Sequence, residues 1–93
     1  MSWGSPVEIE RRRRIRLSLA AYSYEMLDNP IMSDGEFDDE CKLVDKTMST
    51  GNRLLDDFFL HEFEPDTGQW IHKHPELDKL KALYKRIYER TDP

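Results

Sequence analysis

Apolar residues recur along most of this chain at intervals of three and four, the period at which one face of an α-helix returns. Between Ser5 and about Asp28, Ile15, Leu19, Tyr22 and Met26 mark such a face, and Leu17, Ala20, Ala21, Tyr24 and Leu27 widen it. Ser5 can cap this first helix, Pro6 takes a position where a missing N–H costs nothing, and Glu8 completes a capping box. Asp28-Asn29-Pro30 ends it, because proline drives the preceding residue out of the helical region and cannot donate the next bond. A second capping box, Ser33 to Glu36, opens a helix whose apolar face is Phe37, Cys41, Val44 and Met48. Ser49-Thr50-Gly51-Asn52 reads as a turn, followed by a short third helix with Leu54, Leu55, Phe58 and Phe59 that ends near Phe63. Glu64 to Gly68 reads as a reverse turn, and Gln69-Trp70-Ile71 as an extended piece. The last helix is predicted to start with Pro75 at its first position. Glu76 and Asp78 lie early in it and Lys85, Arg86 and Arg90 late, as the helix dipole prefers, and its stripe is Leu77, Leu80, Leu83 or Tyr84, Ile87 and Tyr88.

The expected fold class is therefore all-α or mostly α: a single domain over residues 1–93, built as a small bundle of three to four helices. Composition agrees. The 93 residues are 38% hydrophobic and 35% charged, which suits helices with wide solvated faces and one modest core. Cys41 is the only cysteine, so no intrachain disulfide is possible; the expectation is a reducing, cytoplasmic location. Its place on the apolar face of the second helix marks it as a small buried hydrophobe rather than a nucleophile. No apolar run approaches the ~20 residues that cross a bilayer, so no membrane association is expected.

Net charge is −5, from 19 acidic and 14 basic side chains, which disfavours a general nucleic-acid binder. The charges are segregated. Arg11 to Arg14 and Arg16 form a basic run, whereas Asp34 to Glu40 holds five acids in seven residues. Successive arginines on a helix point in different directions, so the run is read first as a solvated face and only second as an anion or acidic-partner contact. His61, His72, His74 and Cys41 match no finger or zincin spacing, and the acidic stretch lacks the glycine and bidentate acid positions of a calcium loop, so no metal site is expected. The chain also carries no Gly-rich phosphate loop, nucleophile elbow or Cys-x-x-Cys. A non-catalytic role follows as the expectation.

One run carries more information. Tyr22 to Asp38, reading Tyr-Ser-Tyr-Glu-Met-Leu-Asp-Asn-Pro-Ile-Met-Ser-Asp-Gly-Glu-Phe-Asp, resembles the signature of the N-terminal helical subdomain of NAD-dependent DNA ligases. The family pattern is Tyr-x-Tyr, then Leu/Met-Asp-x-Pro, then Ser/Pro-Asp-x-Glu-Tyr-Asp. His74-Pro75-Glu76-Leu77 likewise resembles the His-Pro-Glu-Leu that closes that subdomain. About half of the chain is covered, in order, with an inserted segment at about residues 50–72.

The resemblance implies a site for nicotinamide mononucleotide or NAD. On it, Tyr24 stacks on the nicotinamide, and Asp34 and Asp38 hold the ribose and its polar surroundings. Asp34 and Asp38 are also one helical turn apart, so they share a face. Two further positions depart from the family: Phe37 replaces a tyrosine and loses its hydroxyl, and Glu25 replaces a tyrosine or histidine and makes that contact acidic. The Lys-x-Asp-Gly that supplies the ligase nucleophile is absent, so no ligation is expected of this chain. Short stand-alone proteins of this look imply a phage or prophage origin.

Three functions follow. The first is an interaction protein on a ligase-type scaffold that contacts a host or phage protein, suggested by the acidic stretch and by Phe58, Phe59 and Phe63, more aromatic surface than so small a core easily hides. The second is a module that binds nicotinamide mononucleotide or NAD through Tyr24, Glu25, Asp34, Phe37 and Asp38. The third is a DNA-repair accessory that uses Arg11 to Arg16.

Overall fold

The computed structural model describes residues 4–88, and among these it contains four α-helices, one 3₁₀ helix and no strand. Helix α1 (Pro6–Glu25) starts where its caps predict, with Ser5 Oγ accepting the Glu8 N–H at 3.3 Å. It ends one turn before Pro30. Asp28 takes the left-handed conformation (φ 51°) and the Asn29 N–H returns to the Ser23 carbonyl at 2.9 Å, a closure one residue wider than the usual Schellman bond.

The inner half of α1 has no single apolar stripe. Leu17 through Ser23 are buried without interruption, because the 3₁₀ helix, α2 and α4 all pack around this stretch. Ser18, Ala20, Ala21 and Ser23 are small enough to let those neighbours approach on every side. A helix buried all round shows no useful periodicity. The predicted stripe is accordingly corrected at both ends: Ile15 is 44% exposed and Leu27 37%, Met26 is half-buried, and Leu17 is the residue sealed in the core.

Helix α2 (Asp34–Lys42) is shorter than predicted, so Val44 and Met48 lie in the loop that follows it. Ser33 caps it through the Glu36 N–H at 3.2 Å, and its buried residue is Cys41. Helix α3 (Arg53–His61) is capped by Asn52, whose Oδ1 accepts the Leu55 N–H at 3.2 Å. Phe58, Phe59 and Phe63 are buried, contrary to the expectation that this core could not hide them. They converge with Trp70 at centroid separations of 5.0–6.0 Å, so four rings cover one another's faces and edges.

Gln69–Lys73 is a 3₁₀ helix, not an extended piece. Trp70 and Ile71 are adjacent and both buried, which a strand would need cover on both of its faces to achieve. Helix α4 (Leu77–Tyr88) begins two residues after the predicted start, and Pro75-Glu76 form its entry turn. There His74 Nδ1 accepts the Glu76 N–H at 3.0 Å, so the ring nitrogen stands in for a backbone carbonyl. Leu80 and Tyr84 are buried, with Tyr84 edge-on to Tyr22 at 5.4 Å, while Ile87 and Tyr88 remain about half exposed. Arg90 lies outside the described residues.

The basic run divides: Arg11, Arg12 and Arg16 are exposed, as expected of a solvated face, whereas Arg13 is half-buried and Arg14 is buried. Arg14 is only 4% exposed, and each arm of its guanidinium is taken. It donates to Glu10 at 2.8 Å, to Asp56 at 2.9 Å and to the carbonyls of Asp45 (2.7 Å) and Met48 (3.1 Å), with its carbon 5.0 Å above the Phe59 ring. Glu10, also buried, accepts the Asp45 N–H at 3.2 Å. Arg11 donates to the Thr50 carbonyl, and Arg13 and Arg16 both reach Glu40 at 3.4 Å. A planar fork with five donors can tie three chain segments together in this way where a lysine could not.

Cutting that hub should be costly. Arg14→Met leaves the Asp56 carboxylate without its cation and the buried Glu10 with Arg13 alone at 3.4 Å, and a loss of about 3–5 kcal/mol in chemical denaturation is expected. Arg12→Ala, at a solvated i,i+4 pair with Glu8 3.7 Å away, should leave the midpoint where it is. Equal midpoints for the two variants would remove Arg14 from its central role.

Acid should unfold the protein in two stages. Burial pushes the His74 imidazole below its ordinary 6.5, against the pull of Glu76. Burial pushes the Asp56 carboxyl up, but the bonds from Thr50 and Arg14 outweigh it and hold the group below 3.8; Thr47 does the same for Asp45. All three groups bind protons more weakly in the folded state. Each therefore stabilises the fold above its unfolded value and loses that contribution as pH falls through its folded one. The Lys79 bond likewise holds Glu76 below its ordinary 4.5, so the melting temperature should decline first below about pH 6.5, from His74, and again below about 4.5, from Glu76 and then Asp45 and Asp56. His74→Asn keeps an acceptor for the Glu76 N–H and should abolish the first decline alone.

Cys41 is 1% exposed, and its thiol is pushed up to about 12 by burial, with Asp38, Glu40 and Asp66 adding to the effect. Labelling by a thiol reagent should be roughly a hundredfold slower in the native state than in denaturant. Comparable rates would place the thiol outside the core.

Candidate functional site

The end of α1 and the start of α2 meet the turn before the 3₁₀ helix around a cleft of about 400 Å³, within the size range of small-molecule sites. Tyr24, Glu25, Asp34, Phe37 and Asp38 all line it. These are the five residues singled out by the ligase resemblance, and they reach the cleft from two helices.

Local structure explains each placement. Tyr22 and Ser23 occupy the inward positions of the last turn of α1, so Tyr24 faces out and is 53% exposed, its ring free on the cleft side. Glu25 closes the helix, with Oε1 3.5 Å from His72 Nε2. Asp34 opens α2, where a carboxylate suits the positive end of the helix dipole, and Asp38 follows one turn later. Phe37 packs its ring against the core between them.

The opposite wall comes from Asp66, Thr67, Gly68 and Gln69, which nothing in the sequence pattern singled out. Gly68 makes the wall possible. A Cβ there would stand 3.4 Å from Ala21 Cβ and 3.6 Å from the Phe37 ring, so the turn already rides close over α1 and α2. The Thr67 hydroxyl accepts the Gln69 N–H at 3.1 Å and holds the turn's shape. A glycine after Pro65-Asp66 is a visible turn signal, but its contact with Ala21 spans 47 positions and cannot be read locally.

The cleft is strongly acidic. Glu25, Asp34, Asp38 and Asp66 line it, and no lysine or arginine does among the described residues. Cys41 senses the same field, since Asp38 and Asp66 both contribute to the upward push on its thiol. An aromatic face surrounded by carboxylates suits a cationic ring and hydroxyl groups. No group of three or more histidine, cysteine, aspartate or glutamate side chains is placed to hold a metal ion among the described residues. A second hollow of about 260 Å³ lies between Arg11, Ile15 and Leu55, where the Arg11 guanidinium is already engaged with Thr50. No helix among the described residues is long and apolar enough to cross a membrane.

A scan of family models and searches of curated proteins and of solved structures matched nothing to this chain, so the functional reading rests on its own residues and geometry.

Proposed function

We propose that the chain is a non-catalytic binding module on a ligase-type helical scaffold, and that its cleft takes the nicotinamide and ribose portion of nicotinamide mononucleotide or NAD. One observation carries the reading: the five positions marked by the resemblance line a single cleft, and Tyr24 offers its ring there instead of packing in the core. Tyr24 stacks on the ring, while Asp34 and Asp38 accept from the ribose hydroxyls and offset the ring's charge. Binding is the role, since neither the nucleophilic Lys-x-Asp-Gly nor another nucleophile and base pair stands in the sequence.

A protein partner, of host or phage origin, is the second reading. Phe58, Phe59 and Phe63 no longer support it, because they are buried. Leu54 and Leu60 do, standing 55% and 42% exposed on α3. The repair-accessory reading is weaker, because Arg11, Arg13 and Arg14 are bonded within the fold and Arg12 and Arg16 lie near carboxylates.

Thermal unfolding with added ligand tests the small-molecule reading. A nicotinamide ribosyl compound at a hundred times its Kd stabilises the fold by about 2.7 kcal/mol, or on the order of 10 °C for a domain this size. Adenosine monophosphate should do nothing. Asp38→Asn keeps the shape of the side chain, so its unliganded midpoint should stay near the wild type while the ligand shift shrinks. If neither nicotinamide riboside nor nicotinamide mononucleotide moves the wild-type midpoint at millimolar concentration, this reading falls and the protein-partner reading stands alone.

A further inference from the structure

The charge on the cleft determines more than the ring it accepts. A nicotinamide nucleotide has two ends of opposite character: a cationic ring, and a phosphate that carries ≈ −1.5 to −2 near neutral pH. The lining described above suits the first end and opposes the second. Glu25, Asp34, Asp38 and Asp66 come from both walls, so a phosphate held within the cleft alongside a ring at Tyr24 has carboxylates on both sides of it.

No lysine or arginine among the described residues lines the cleft to compensate. The amino end of α2 could attract an anion, but the Ser33 hydroxyl already accepts the Glu36 N–H and the Asp34 and Glu36 carboxylates sit in its first turn. His72 is engaged with the lining itself, its Nε2 3.5 Å from the Glu25 carboxylate. Phe37 adds no hydrogen-bond donor. Thr67 and Gln69 offer only neutral ones.

We propose, on the basis of the binding role assigned above, that the cleft selects a phosphate-free aromatic cation, a nicotinamide nucleoside in preference to its nucleotide. Tyr24 and the carboxylates of Asp34 and Asp38 bind the ring and ribose, and Glu25 and Asp66 act as the residues that reject the phosphate. This specificity works through an unfavourable contact with the wrong ligand as much as through a favourable one with the right ligand.

Nicotinamide riboside and nicotinamide mononucleotide share ring and ribose and differ by the phosphate, which makes them a matched pair of probes. Titration calorimetry on the full chain at pH 8 and low salt should give the riboside a Kd smaller than that of the mononucleotide by on the order of tenfold or more. Raising sodium chloride to about 0.5 M should narrow the ratio, as screening shortens the reach of the carboxylates. Glu25→Gln combined with Asp66→Asn should narrow it by strengthening mononucleotide binding, an effect that loss of folding cannot imitate. Equal or tighter binding of the mononucleotide by the wild type overturns the selectivity and leaves the nicotinamide reading intact. Absence of binding by either compound overturns both.

Discussion

The fold hangs on one buried cation. Arg14, on α1, gathers the Glu10 carboxylate, two carbonyls of the loop after α2 and the Asp56 carboxylate of α3, with the Phe59 ring beneath it. Each partner satisfies a donor that burial would otherwise leave stranded, which is why the network must be nearly complete to be stable at all. Its geometric effect reaches further than its contacts. By holding α3 against α1 it places Phe58, Phe59 and Phe63 where Trp70 can join them, and Trp70 anchors the 3₁₀ helix whose preceding turn forms one wall of the cleft.

The segment at about residues 50–72 therefore belongs to the body of the molecule. One end is held by the Thr50 and Asp56 bonds to α1, and the other contributes Asp66 to Gln69 to the cleft. Without that wall, Tyr24 and the acids of α2 would form an open face instead of a concave site. Close approach of the wall depends on small residues on both sides, Gly68 on the turn and Ala20 and Ala21 on the helix.

The two charge clusters are used differently. The arginine run keeps Arg11, Arg12 and Arg16 exposed, while Arg13 and Arg14 turn inward to Glu10, Glu40 and Asp56. In the acidic run, Asp34 and Asp38 line a cleft with no lysine or arginine in its lining among the described residues.

Local chemistry was enough to read the helical class, the start of α1 at its serine cap, its stop before Pro30, and the capped start of α2. Caps and proline breaks act within four residues, so they are legible without knowing the fold. The five candidate residues were also legible, but only through their resemblance to a known pattern. Tertiary packing decided the rest. Periodicity failed on α1 because neighbours surround it, and it failed at Gln69–Ile71 because Trp70 and Ile71 must both enter one core. The burial of Arg14 and the contribution of Asp66 depend on contacts 42 to 47 positions away, Arg14 to Asp56 and Gly68 to Ala21. No local preference encodes such contacts; they form because folding brings distant groups together and desolvates them as one unit.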